Sequence, residues 1–178
     1  NSANNTSSAN LTVTNQIALA TSKAASVGTG PIADGAEFFY TIEVKNDSSI
    51  PVRSGQTITV VDELDGKLQY TGTDAPWSCN AVPVAWSAST PQTVTCTLDD
   101  GIAAKGSSNL KLNVKAHLDT GDWAQIANKA AVSCPTGGRV CLGHTDGVIL
   151  TNEHKINLSE LSADLSITKA AAITSGFS

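Results

Sequence analysis

The chain contains no methionine in 178 residues, aromatic residues make up only 4% of it, and charged residues only 15%. No apolar run approaches the ~18 residues that a membrane helix requires, so no membrane span is expected. Eleven Lys+Arg against 16 Asp+Glu leave a net charge of −5, and no basic cluster occurs anywhere. A nucleic-acid partner needs such a cluster to displace phosphate counterions, which excludes that class. Also missing are a Ser/His/Asp grouping, a His–Glu pair and a phosphate-binding glycine loop, and with them the enzyme classes those motifs serve. No cofactor or metal is expected. The three histidines sit on separate segments, and "DELDG" (62–66), "LDDG" (98–101) and "LDTGD" (118–122) read as turns short of a calcium loop's ligands. The lack of methionine extends to the first residue, as expected of a processed chain or a piece of a longer one.

What the chain does have is alternation. In "NLKLNVKAHL" (109–118), Leu110, Leu112, Val114, Ala116 and Leu118 share one face and Lys111, Asn113, Lys115 and His117 the other. Such a period of two makes a half-buried antiparallel strand. "FYTIEV" aligns Tyr40, Ile42 and Val44 in phase with Phe38; "QTITVVDEL" aligns Ile58, Val60, Asp62 and Leu64; "TVTCTL" aligns Val94, Cys96 and Leu98. "LQYTG" (68–72), "AQIANKAAV" (124–132) and "GVIL" (147–150) add further strands, and turn signals such as Asp34-Gly35, Ser54-Gly55 and Asp100-Gly101 fall between them. Roughly seven short strands at this spacing predict an all-β, immunoglobulin-like antiparallel sandwich.

Cysteines fall in two local pairs, Cys79/Cys96 and Cys134/Cys141. Sequence permits three connectivities; the local pairing is preferred, because Cys79 and Cys96 flank a hairpin and "CPTGGRVC" is a tight loop. Zinc is the alternative, with poor ligand spacing. Disulfides place the chain in an oxidising, extracellular setting at the cell surface. Sequons for glycosylation begin at Asn4, Asn5, Asn10, Asn46 and Asn157.

The chain also writes one strand twice. "IALATSKAA" (17–25) returns as "ADLSITKAA" (163–171), with Leu19/Leu165, Lys23/Lys169, Ala24/Ala170 and Ala25/Ala171 identical at a constant offset. An Asn/Ser-rich lead-in precedes each copy: "NSANNTSSAN" before the first, "TNEHKINLSELS" (151–162) before the second. The division that follows is a linker and strand over 1–15, a sandwich over 16–162, and a terminal strand over 163–178. These terminal strands are expected to be exchanged or shared between sandwiches, the last entering a sheet through Leu165, Ile167 and Lys169.

The order of "Y-T-I-x-V-x-N" (40–46), "I-T-V-V-D-E-L" (58–64) and "I-x-N-x-A-x-V" (126–132) behind a Lys-bearing first strand is specific. It resembles the conserved repeat domain of bacterial and archaeal surface proteins, an immunoglobulin-like family of unknown function. The match covers roughly 16–133. The resemblance implies tandem stalk, adhesin, cell-wall or filament modules and no enzyme activity. The expected function is a structural subunit of an extracellular, pilus-like filament, its partners copies of itself joined head-to-tail by strand donation. One repeat of a long adhesin, stalk or cell-wall protein is the alternative; a secreted carbohydrate-binding module or enzyme accessory domain is more remote.

Three polar residues sit on inward faces by parity: Lys23 with Ile17 and Leu19, Asp62 with Val60 and Leu64, Asn128 with Ile126 and Val132. An unpaired buried charge costs several kcal/mol, so the three are expected to meet. One reading is an autocatalytic isopeptide bond, with desolvated Lys23 as nucleophile, Asn128 as the carboxamide attacked and Asp62 as proton relay. The other is a hydrogen-bonded Lys23–Asp62 pair with Asn128 satisfying backbone, or a lysine snorkelling to solvent. Glu43 is a rival acid, but it shares parity with Thr41 rather than the apolar positions of its strand. Trp77, Trp86 and Trp123 suggest a sugar platform, against which core packing is the stronger expectation.

Overall fold

A computed structural model describes residues 16–80, 86, 91–119, 125–138 and 140–159. The elements in chain order are β1 (Gln16–Ile17), β2 (Leu19–Ala25), β3 (Glu37–Asn46), β4 (Ile58–Leu64), β5 (Leu68–Thr73), β6 (Ser78–Cys79) and β7 (Gln92–Leu98). There follow β8 (Ser107–Ala116), β9 (Ile126–Asn128), β10 (Ala130–Ser133), β11 (Val140–Cys141), β12 (Val148–Leu150) and β13 (His154–Ile156). Among the described residues there is no helix. One sheet has the order β2-β3-β8-β5 and another the order β12-β10-β4-β7-β6; short ladders pair β13 with β9 and β1 with β11. Among the described residues every strand-to-strand ladder is antiparallel except β1–β11.

Alternation explains this arrangement. Phe38, Tyr40, Ile42 and Val44 of β3 turn inward to meet Leu110, Leu112 and Val114 of β8, while Ile58, Val60 and Leu64 of β4 and Val94, Cys96 and Leu98 of β7 line the opposing sheet. Each large side chain so buried contributes about 1.5–3 kcal/mol. Trp77 is buried in this core with its indole Nε1 donating to Ser108 Oγ at 3.0 Å. No platform of three tryptophans therefore includes it, and Trp123 lies outside the described residues. Trp86 stacks on His117 at 4.5 Å and donates to the Gly66 carbonyl.

Two features beyond the sequence reading shape the site. The single strand expected over 124–132 is interrupted at exposed Lys129, because the chain changes partner there: β9 pairs with β13, whereas β10 pairs with β4 and β12. Its phase survives the break, with Ile126, Asn128, Ala130 and Val132 all buried. The polar lead-in from 151 is woven into the sandwich as far as it is described. Ile156 is fully buried, Leu158 bridges to Ile32, and the backbone of Asn157 exchanges hydrogen bonds with Thr29 and Ile32. Gly30, at φ +82°, makes that approach possible; a Cβ there would lie 2.5 Å from the Asn157 carbonyl oxygen.

Candidate functional site

Lys23, Asp62 and Asn128 belong to three different ladders that converge on one side of the sandwich. Lys23 lies on β2 opposite Ile42, Asp62 on β4 between Val94 and Ala130, and Asn128 ends β9 opposite His154. The β9–β13 ladder packs against both β2 and β4, which carries Asn128 to where the sheets face each other. All three are inward, at 2%, 0% and 2% exposure. Lys23 Nζ donates to Asp62 Oδ2, and neither side chain reaches solvent. The snorkelling alternative is thereby excluded. Glu43 pairs across with Ser22 and Asn109 on the outward-facing positions of its sheet and takes no part.

Asn152 fixes the lysine strand from outside. Its Oδ1 accepts from the Lys23 amide at 2.8 Å and its Nδ2 donates to the Lys23 carbonyl at 2.9 Å, so one carboxamide acts as a rung of β ladder on the free edge of β2. Thr21 Oγ1 donates to the Leu150 carbonyl beside it. Open sheet edges invite foreign strands, and this one is blocked at its middle.

Burial drives the electrostatics. Desolvation lowers the Lys23 pKa against the upward pull of Asp62. It raises that of Asp62 against the downward pull of Lys23 and of the Asn128 carboxamide. Both shifts favour the uncharged pair, an amine beside a carboxylic acid, reached by moving one proton from Nζ to Oδ2. Tyr40 completes the cluster. Its ring centroid is 4.5 Å from Lys23 Nζ, and burial, then the Asp62 charge, push its hydroxyl above the ordinary range.

Four buried polar atoms here have no hydrogen-bond partner among the described residues: Tyr40 Oη, Asp62 Oδ1, and Asn128 Oδ1 and Nδ2. The carboxamide is near enough to draw down the pKa of both Asp62 and Tyr40, yet its nitrogen and oxygen fall outside hydrogen-bonding geometry. Asn128 therefore does not serve the backbone, as the simpler reading of the cluster required. A lysine and a carboxyl both displaced toward their neutral forms, beside an unengaged amide and shut off from solvent, are the parts an amide exchange requires. On the outer side, a groove of about 400 Å³ lined by Val61, Glu63, Lys129 and Leu150 reaches Asn128.

Disulfides join Cys79 to Cys96, directly opposed on β6 and β7, and Cys134 to Cys141. No group of His, Cys, Asp or Glu among the described residues could hold a metal ion. Asn46 corrects the sequon reading. It is fully buried, and its Nδ2, the atom a glycan would occupy, donates to the carbonyls of Ile50, Ile102 and Ala103. Asn157 is exposed, with Oδ1 accepting from Gln125. Asn4, Asn5, Asn10, Leu165, Ile167 and Lys169 lie outside the described residues. Sequence reasoning missed Tyr40, whose ring satisfied the apolar pattern, and Asn152, hidden in a polar run. A phenol at mid-strand on a core face was the available signal for the first.

The architecture recurs in surface proteins. The chain is similar to the major pilin subunit BcpA of Bacillus cereus, with a TM-score of 0.51 and 15% identity over 79% of this chain and 40% of that one. It is similar also to the N-terminal domain of the Streptococcus gordonii adhesin Sgo0707, with a TM-score of 0.51 and 14% identity over 78% of this chain and 32% of that one. The chain thus spans less than half the length of either structure. At these identities the likeness is one of fold. No family model matches, and no curated protein does.

Proposed function

We propose that the protein is a non-enzymatic structural module of an extracellular surface appendage, pilus-like or adhesive, locked by an isopeptide bond between Lys23 and Asn128. The observation that carries this reading is the dry Lys23–Asp62 pair beside a carboxamide with no hydrogen-bond partner. The fold shared with a pilin and an adhesin domain supports it, as do two disulfides, which persist in oxidising compartments.

The chemistry balances within the cluster. Lys23 gives a proton to Asp62, and the freed Nζ attacks Asn128 Cγ, moving the carbonyl pair onto Oδ1. Asp62 passes its proton to Nδ2 and takes one from the new Nζ–Cγ linkage. Collapse breaks Cγ–Nδ2, and ammonia leaves through the outer groove. The product is a secondary amide joining β2 to β9, with Asp62 again protonated. It closes a loop of about 100 residues, stabilising the fold by about 4–5 kcal/mol on the loop-entropy model. The intact mass of the reduced chain tests this: short by one ammonia in the wild type, full in Asp62→Ala. A full wild-type mass leaves an ion pair only.

The repeated segment 163–171 supports assembly through β2 slots, entered by Leu165, Ile167 and Lys169. Head-to-tail donation between copies requires an empty slot. Here β2 occupies its own, paired with β3 from Leu19 to Ala25. That observation favours the second reading, in which 163–171 is the first strand of an adjacent repeat in a longer stalk or adhesin. Deleting 163–178 separates the two: loss of polymerisation by the remaining folded module supports donation between copies, and unchanged association supports tandem repeats.

A further inference from the structure

The crosslink reading leaves one buried group without a task. Tyr40 is wholly buried in the middle of β3, and its hydroxyl has no hydrogen-bond partner among the described residues. Burying a hydroxyl in that condition is destabilising, because the group gives up its water without gaining a partner. Packing does not require it. Phe38, two residues earlier on the same face, fills the same core with a ring edge-on to that of Tyr40 at 5.4 Å. A phenylalanine at 40 would keep the ring contacts to Phe38 and His154 and lose only the unpaired oxygen.

The position of that oxygen is informative. The Tyr40 ring touches the Lys23 amine on one side. Against the rise that burial causes, the Asn128 carboxamide lies near enough to the hydroxyl to lower its pKa, the effect of an amide N–H turned toward the phenol oxygen. A half-turn of that carboxamide, which no hydrogen bond among the described residues holds, brings Oδ1 there instead. Asn128 Oδ1 is itself an acceptor with no donor. In the resting amide this oxygen carries a partial charge, and once Nζ adds to Cγ it carries a full negative charge in a site closed to bulk solvent. Donors placed for an oxyanion rather than a ground-state carbonyl typically make poor hydrogen bonds until that charge develops.

We infer that Tyr40 is a catalytic residue of the crosslinking reaction, its hydroxyl donating to Asn128 Oδ1 as the tetrahedral oxyanion forms. The inference rests on the crosslink reading and assigns that site its oxyanion donor. As Nζ–Cγ forms, the carbonyl pair moves to Oδ1 and the Tyr40 O–H bonds to it. When the pair returns and Cγ–Nδ2 breaks, the hydroxyl is released unchanged. Asp62 alone moves protons. High resistance to ionisation keeps the phenol a donor throughout.

The test is a time course of crosslinking in full-length chains made by cell-free translation, read by intact mass after reduction. Tyr40→Phe is expected to slow the loss of ammonia by about 10²-fold, the usual effect of removing one oxyanion donor, while Asp62→Ala abolishes it. Because Tyr40→Phe could act through the fold, Asn128→Ala and Tyr40→Phe/Asn128→Ala, neither able to crosslink, are compared by thermal melting. Equal or slightly higher stability of the double variant is expected. Wild-type chains that lose no ammonia overturn the crosslink and this role together. Wild-type chains that crosslink alongside Tyr40→Phe chains at the same rate overturn the role of Tyr40 alone. A slow Tyr40→Phe whose double variant melts well below Asn128→Ala also overturns it, assigning Tyr40 to packing.

Discussion

One disulfide lies between Lys23 and Asn128 in the chain and the other beyond Asn128, and they mark two regions held together by different means. Cys79–Cys96 lies within the stretch from β2 to β9, among strands with long ladders and fully buried inner faces. Cys134–Cys141 lies in the stretch after β9, where β10 to β13 are four residues or fewer and exposed Leu142 and Leu150 flank the chain. With the proposed crosslink in place, tension arriving at β2 passes straight to β9 and never crosses β3 to β8. The better-packed region is thereby removed from the load path. The later region remains in it, and there the Cys134–Cys141 bond and the Asn152 rung on β2 carry what the covalent tie does not.

The largest effect should come from removing Lys23. Lys23→Met forfeits the tie, about 4–5 kcal/mol, and leaves the buried Asp62 carboxyl without its Nζ partner, a further loss of about 1–3 kcal/mol. It also isolates a pH signature. Burial raises the Asp62 pKa above 3.8, with no lysine charge left to oppose the rise. The native state then holds a proton that the unfolded chain releases, so stability falls as pH rises from about 4 toward neutrality. Chemical denaturation across that range checks the sign.

Asn128→Ala should lose only the tie, about 4–5 kcal/mol. It should also erase the comparison under force, exposing residues 24–127 to extension when single molecules are pulled. The disulfides sharpen the contrast next. Opening Cys79–Cys96 should cost an uncrosslinked variant about 3 kcal/mol in a denaturant melt, yet leave the wild-type force–extension trace unchanged. Opening Cys134–Cys141 should cost about 2 kcal/mol, but lengthen that trace by the residues it enclosed. Smallest is Asn152→Ala, which removes two hydrogen bonds worth about 1–3 kcal/mol together. Hydrogen exchange at β2 should rise while that of β3 and β8 stays the same.

Much of the fold was legible because a strand's period of two survives local irregularity. Parity alone turned Lys23, Asp62 and Asn128 inward, even across the break at Lys129. Their meeting was an inference from the cost of buried charge, since they belong to three ladders whose register no single segment encodes. Tyr40 was hidden because a phenol ring satisfies an apolar pattern and only its oxygen violates it. Asn152 and Ile156 were hidden in a polar run whose pairing is set by distant strands. Asn46 shared parity with Val44, and that phase, more than its sequon, decided its fate.

Tandem mass spectrometry of proteolysed, reduced protein tests the central claim most directly. The account predicts one branched peptide in which Lys23 Nζ is acylated by the side chain of residue 128, with ammonia lost. Recovery of the Lys23 and Asn128 peptides only as separate linear species of full mass would contradict it.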